Sequence, residues 1–250
     1  MSSLNQSTWR KDTSAPTFEF VFDIFFKKGG AKIDNNIYKN GFDNVNSYIY
    51  GLIVSDGCLL YTGRNKNRLS IMLGLNDKEI IEKLHKYMCF GNKVYKRNKQ
   101  YSIKYRNEES IDFLIKNGLI QRKSLEIDFP ILPIEFMPSF IRGYFDGDGS
   151  ISLRIESDKI YGRVAFTSGS INFLRGLQNC LYYNFNIVSH IYDGGHKNTK
   201  TMALVITKRS EIDKLYNMMY DDTDFYLYRK YNKFVELSKY KPKHKFKCMI

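Results

Sequence analysis

Cysteine is scarce in this chain of 250 residues. Cys58, Cys89, Cys180 and Cys248 lie far apart and form no Cys-x-x-Cys pair. That spacing makes a zinc site or a disulfide framework improbable and fits reduced thiols in a cytosol-like compartment. Histidine is equally rare. His85, His190, His196 and His244 show no metal-ligand spacing and read as surface or strand-face residues. No apolar run approaches the ~20 residues that a membrane-crossing helix needs, so no membrane partner is expected. Met1 to Thr17 holds no apolar stretch followed by a small-residue cleavage site, so no secretory signal is expected. The expected location is the cytoplasm or an organellar matrix. Acid is the charge in deficit: 26 Asp and Glu stand against 39 Lys and Arg, which leaves +13. A surplus of that size repels itself in the folded state and calls for a polyanionic partner, nucleic acid before an anionic membrane.

Hydrophobic residues make up 43% of the chain, enough to build a packed core and to exclude a disordered protein. The sequence also contains itself twice. Ser47-Tyr-Ile-Tyr-Gly-Leu-Ile-Val-Ser-Asp-Gly-Cys-Leu59 aligns with Ser139-Phe-Ile-Arg-Gly-Tyr-Phe-Asp-Gly-Asp-Gly-Ser-Ile151, so that Ser47, Ile49, Gly51, Asp56 and Gly57 fall on Ser139, Ile141, Gly143, Asp148 and Gly149. Downstream, Asp77–Met88 corresponds to Ser170–Leu181, Glu109–Leu119 to Ser210–Tyr220, and Arg122-Lys123 to Arg229-Lys230. Blocks repeated in the same order mark two copies. The expected division is an N-terminal extension at 1–46, a first copy at 47–130, a linker at 131–138 carrying Pro133 and Pro138, a second copy at 139–237 and a basic tail at 238–250.

Each copy reads as helix, two strands, helix, two strands, helix, an α+β unit. Expected strands are Arg68–Leu73, Lys93–Arg97 and Tyr101–Arg106 in the first copy, and Arg163–Phe166, Ile187–Tyr192 and Thr201–Thr207 in the second. The hairpins turn at Asn98 and at Asp193-Gly194-Gly195. In Tyr101–Arg106, alternation sets Tyr101, Ile103 and Tyr105 on one face and Ser102, Lys104 and Arg106 on the other. An apolar face packs on helices and a basic face stays open, a candidate nucleic-acid surface. Arg64, Lys66, Arg68, Lys96, Lys104, Arg106, Arg154, Arg163, His190 and Lys200 are its candidate contacts.

The segments Ser47–Val54 and Ser139–Phe145 have helical character and run into Asp-Gly. Gly57 and Gly149 suit the left-handed position past a helix end. Asp56 and Asp148 then sit at helix C-termini, where the dipole is negative and disfavours an anion. Gly51 and Gly143 offer no side chain, so the two helices can cross with close backbones. Two carboxylates meeting there need a divalent cation with oxygen ligands, Mg²⁺ before others. A calcium loop of the EF-hand kind beginning at Asp146 is excluded, because Ile151 and Ser157 stand where Gly and Glu are required. Asp146 itself reads as a cap or a supporting acid ahead of a ligand.

Ile49-Tyr-Gly-Leu-Ile-Val-Ser-Asp-Gly57 and Ile141-Arg-Gly-Tyr-Phe-Asp-Gly-Asp-Gly149 resemble the two motifs of single-chain LAGLIDADG homing endonucleases. The second motif fits well. The first departs at its sixth position, where Val54 replaces the usual acid. The resemblance runs from residue 47 to residue 237. It implies two pseudo-symmetric αββαββα halves with saddle-shaped antiparallel sheets, motif helices at the interface between them, and a monomer that serves as its own dimer on double-stranded DNA. It implies hydrolysis of phosphodiester bonds with Mg²⁺ or Mn²⁺, Asp56 and Asp148 holding the metal, and a basic residue near each scissile phosphate. Lys123 and Lys230 match that basic position. Their plainer role is a phosphate contact or solvated charge. The alternative reading is an intron maturase or nucleic-acid-binding regulator on the same scaffold that grips without cutting. Val54 is its only support, and retention of both motif-final acids argues against it. No protein-splicing domain is visible, which disfavours an intein setting. The apolar run Phe18–Phe26 is expected to pack on the core as a helix or strand, and the basic run Lys239–Lys247 to touch phosphate nonspecifically.

Overall fold

A computed structural model describes residues 35–239 apart from 62–66, 89–93, 158, 195–200, 222 and 224. Phe18–Phe26 and the basic tail beyond Lys239 lie outside the described residues, as do Arg64, Lys66 and Lys200.

The first half runs α1 (Asn44–Asp56), β1 (Gly57–Tyr61), β2 (Asn67–Gly74), α2 (Lys78–Met88), β3 (Val94–Arg97), β4 (Gln100–Tyr105) and α3 (Glu108–Lys116). The second runs α4 (Met137–Asp148), β5 (Gly149–Glu156), β6 (Lys159–Ser168), α5 (Ile171–Phe185), β7 (His190–Asp193), β8 (Met202–Ile206) and α6 (Arg209–Tyr220), followed by α7 (Tyr228–Lys239). The first sheet has order β1-β2-β4-β3 and the second β5-β6-β8-β7. Every pairing is antiparallel. This is the repeated αββαββα architecture that the two copies imply.

Local chemistry sets the helix starts. Asp43 caps α1: its carboxylate accepts from Asn46 N–H at 2.7 Å, while its own N–H donates to Asn46 Oδ1 at 2.8 Å. The helix therefore begins three residues before the repeated Ser47. Pro138 opens α4, where a missing N–H costs nothing. Ser170 caps α5 by accepting from Phe173 N–H.

Two expectations need correction. Gly57 and Gly149 are extended, with φ of −83° and −90°, so neither supplies a left-handed cap. They are glycine for lack of room: a Cβ on Gly57 would stand 2.4 Å from Ile53 O, and one on Gly149 would stand 2.1 Å from the Phe145 ring. Each chain leaves its helix directly into a strand, and the helix's own last turn blocks a side chain there. The strand expected from Ile187 begins only at His190. Asn186 takes the left-handed conformation (φ 52°), and Ile187 N–H returns to Leu181 O at 2.9 Å, so Ile187 closes the helix.

One face of each sheet carries the core. Leu69, Ile71, Leu73, Ile103 and Tyr105 are buried in the first, and Ile151, Val164, Phe166, Leu204 and Ile206 in the second. Each fully buried side chain of this size contributes roughly 1.5–3 kcal/mol. The opposite faces carry Cys58, Arg68, Met72, Lys104 and Tyr95 in the first sheet, and Ser152, Arg154, Tyr161, Arg163, His190 and Tyr192 in the second.

Candidate active site

Helices α1 and α4 cross at the junction between the halves and are buried almost all round. Ile49, Leu52, Ile53, Phe140, Ile141 and Phe145 are each 0–1% exposed. The crossing is possible because Gly51 and Gly143 lie at the contact. A Cβ on Gly51 would stand 2.1 Å from Phe140 O, and one on Gly143 would stand 2.0 Å from Tyr48 O. Tyr48 aligns with Phe140 and Gly51 with Gly143, so these are the same contact seen from either half. A third close approach follows one turn later: a Cβ on Gly147 would meet Ser55 Oγ at 1.9 Å and Asp56 Oδ2 at 3.0 Å. The Asp56 carboxylate therefore rests against the last turn of α4, beside the residue that precedes Asp148.

The electrostatics agree. Burial, and then the neighbouring Asp148, pushes the Asp56 carboxyl up to about 6. Burial raises Asp148 as well, while the Lys123 and Lys230 charges oppose that rise. Both acids close helices whose dipoles add further negative potential. Four ionisable groups named from sequence, Asp56, Asp148, Lys123 and Lys230, are thus within electrostatic reach of one another.

The two lysines are held differently. Lys123 lies between α3 and the junction, behind Arg122, which is left-handed (φ 52°). Its Nζ donates once, to Ser55 O at 2.8 Å, the penultimate carbonyl of α1. Lys230, on α7, reaches four carbonyls at the end of α4: Phe145 O at 2.6 Å, Asp146 O at 2.7 Å, Gly147 O at 3.2 Å and Gly149 O at 2.6 Å. Asp146 O and Gly147 O are among the carbonyls that a helix C-terminus leaves without partners, whereas Phe145 O also accepts from the Gly149 N–H and Gly149 already belongs to β5. Burial lowers both ammonium groups, Lys230 to about 8, which leaves it charged at neutral pH.

Asp146 is 1% exposed. Its Oδ2 accepts from Tyr48 Oη at 2.8 Å and from Leu227 N–H at 2.9 Å, and its Oδ1 has no partner among the described residues. It joins α1, α4 and the start of α7, which is a supporting role. A second link was not legible in the sequence. Arg229 Nε donates to Asp77 Oδ1 at 2.8 Å and Nη2 to Oδ2 at 3.1 Å, tying the first half to the second. Asp77 looked like an ordinary acid at a helix start, and nothing local pairs two residues 152 positions apart.

Among the basic candidates, Arg68, Lys104, Arg154, Arg163 and His190 fall on the sheet faces turned away from the helices, and Arg106 follows β4 in the same alternation. Lys104 Nζ lies 4.5 Å over the Tyr95 ring. Lys96 is apart from them: it pairs with Tyr101, on the helix-packed side of an edge strand. Arg154 is bonded to Glu156.

The donor set bears on a metal. Asp56 and Asp148 are hard oxygen ligands made costly by burial and proximity, which fits a divalent ion of the Mg²⁺ kind that keeps water and phosphate oxygens as its other ligands. Among the described residues no cluster of three or more His, Cys, Asp or Glu side chains could hold a metal.

Residues 135–219 match the family described as LAGLIDADG-like domain. The second half of the chain thus carries a LAGLIDADG-like domain. Solved LAGLIDADG homing endonucleases share the chain's fold at low identity. I-WcaI bound to its DNA recognition sequence is 14% identical with a TM-score of 0.57, covering 85% of this chain and 96% of that one. I-SmaMI bound to cleaved DNA is 14% identical with a TM-score of 0.58, covering 79% and 88%. I-GzeII in complex with its DNA target is 15% identical with a TM-score of 0.54, covering 80% and 89%. Curated relatives are a probable translation initiation factor IF-2 of Methanocaldococcus jannaschii, 30% identical over 172 residues, and one of Thermococcus kodakarensis, 32% identical over 148. Those matches cover 61% and 55% of this chain but only 13% and 12% of the relatives.

Proposed function

We propose that this LAGLIDADG protein is a site-specific endonuclease that hydrolyses both strands of double-stranded DNA with Mg²⁺ or Mn²⁺. The observation that carries this reading is the meeting of Asp56 and Asp148 at the negative ends of two crossing helices, with Lys123 and Lys230 beside them. A protein has no structural use for two carboxylates in that position, because burial and repulsion both work against it. Asp56 and Asp148 hold the divalent ions, which when bound activate water and stabilise the departing 3′ oxygen. The lysines supply positive charge where the phosphate gains negative charge. The basic faces of the two sheets bind the phosphate backbone, and Arg68, Lys104, Arg106, Arg154, Arg163 and His190 are their described members. One chain contains both halves, so it acts as a monomer and its target need not be palindromic.

The relatives carry the matching segment as about an eighth of their length. This favours a module carried inside a longer protein, a setting that the sequence alone disfavoured. A non-cutting maturase or regulator keeps one observation in its favour: Val54 and Ser55 stand where the second motif has Asp146 and Gly147.

The test is cleavage of a randomised double-stranded DNA library with Mg²⁺, with Asp148→Asn alongside. The expected result is a long selected site that the wild type cuts and the variant binds intact. Tight DNA or RNA binding with no cutting in Mg²⁺ or Mn²⁺ would replace the nuclease with the regulator.

A further inference from the structure

An ammonium group has three hydrogens, and Lys230 presents them to four backbone carbonyls at 2.6–3.2 Å. No donor remains for a phosphate. Lys123, bound among the described residues only to Ser55 O, retains two. The arginines beside them differ in the same sense. Arg229 is engaged by both oxygens of Asp77, whereas Arg122 is exposed and has no side-chain partner among the described residues. The reason lies in the turns opposite. Asp77 stands where the second copy has Ser170, whose side chain is occupied in capping α5. Next to it, Gly169 packs directly on the backbone of Ser124: a Cβ there would lie 2.4 Å from Ser124 O. Among the described residues no carboxylate engages Arg122. The repeated Arg-Lys pair is thus lightly held in one half, by one bond from Lys123, and committed in the other.

We propose that the two cleavage centres are unequal, and that the strand whose phosphate meets Lys123 is cut first while Lys230 serves as the structural cap of α4. This rests on the endonuclease reading. Lys123, held at the end of α1 by Ser55 O, stays within electrostatic reach of both Asp56 and Asp148. Cutting then passes through a nicked duplex, and the slower centre completes the break.

The selected target, placed once in a supercoiled plasmid and labelled separately on each strand, reads this out. With Mg²⁺ the wild type should accumulate nicked circles before linear product, always nicked on the same strand. Lys123→Met should slow that strand at least about ten-fold and change the other less than about two-fold. Thermal melting without DNA supplies the second arm. Lys230→Met removes the ammonium from the buried carbonyls of Asp146, Gly147 and Gly149, Phe145 O keeping the Gly149 N–H, and should lower Tm by at least about 5 °C, with Lys123→Met lowering it by less than half as much. Equal cutting of both strands by the wild type would overturn the proposal. So would a Lys230→Met protein that melts normally and has lost one strand's cleavage. A wild type that binds the target and cuts neither strand brings down the nuclease reading itself, a result distinct from equal cutting. The melting comparison still tests the assignment of Lys230 as a cap in that case.

Discussion

The two halves share element order, sheet order and a crossing glycine, yet their motif helices end in different surroundings. In the second half, Asp146 is buried and bonded to Tyr48 and Leu227, Gly147 admits the other helix, and Lys230 closes the helix end. In the first half, the same positions are Val54, which is packed apolar, Ser55, whose Oγ lies within reach of its own helix at Gly51 O and Leu52 O, and a lysine with a single bond. What is duplicated is what the crossing and the paired acids require. What is not duplicated is the polar network around them, which one half suffices to provide.

The largest expected effects test the shared part. Gly51→Val and Gly143→Val each drive a side chain into backbone of the other helix, at 2.1 and 2.0 Å, where nothing flexible can yield. Each should destabilise by more than about 4 kcal/mol, seen as loss of the cooperative thermal transition in circular dichroism. Equal damage is expected because the contacts are equivalent, and a folded Gly143→Val beside an unfolded Gly51→Val would break the pseudo-symmetry. The unshared part should be next. Asp146→Val copies the first half into the second and leaves Leu227 N–H and Tyr48 Oη unpaired in a buried place. A loss of about 2–4 kcal/mol in denaturant melts follows. The reverse change, Val54→Asp, buries a carboxyl at a position 4% exposed and should also destabilise, because the first half has no equivalent partners for it.

The acids provide a smaller effect that depends on conditions. Asp56 and Asp146 are both pushed up to about 6, by burial first. A carboxyl with a raised folded-state pKa binds its proton more tightly when folded. Its contribution is therefore full below the unfolded value near 4 and is lost as pH rises through about 6. With chelator present, Tm should rise as pH is lowered from about 7 to about 5, by the equivalent of roughly 1–3 kcal/mol. Asp146→Asn should remove part of that slope, and Mg²⁺ should flatten the part due to Asp56. A flat profile in chelator would show that these carboxyls titrate normally and are not crowded.

Much of this arrangement was legible in the chain. The two Asp-Gly ends, the glycines one turn and a half before them and the ordered downstream blocks pointed to two copies, a helix crossing and a pair of acids, because each depends on periodicity or on a residue type with few uses, whereas the placing of Lys123 and Lys230 near those acids came through the family resemblance. The Gly57 and Gly149 conformations were misread because a glycine after a helix has two explanations, positive φ and lack of space, and only coordinates separate them. Lys230 and Lys123 looked identical in sequence. Their difference depends on which backbone carbonyls lie within reach, and no side-chain pattern records that. The Asp77–Arg229 pair joins residues in different halves, each with an adequate local reading. Lys96 shows the limit of strand reasoning at an edge, where a basic residue on the packed side can simply reach around to solvent.

The smallest effect, at Asp77, sharpens the comparison most. Asp77 is 6% exposed at its side chain and Arg229 51%, so solvent screens the pair and its net worth to stability is about 1 kcal/mol or less. Asp77→Asn should therefore barely change Tm. It should instead release Arg229 beside the Asp56 centre, making the second Arg-Lys pair resemble the first. If the pair only staples the halves together, the variant loses a little stability and keeps the wild-type ratio of strand cutting rates. If the clamp on Arg229 contributes to the inequality of the centres, the slower strand speeds up, nicked circles accumulate less, and stability stays nearly constant. Measured together on one variant, the ratio of strand rates and the melting temperature separate a structural clamp from a functional one, because a clamp that acts through stability alone cannot move the first without the second.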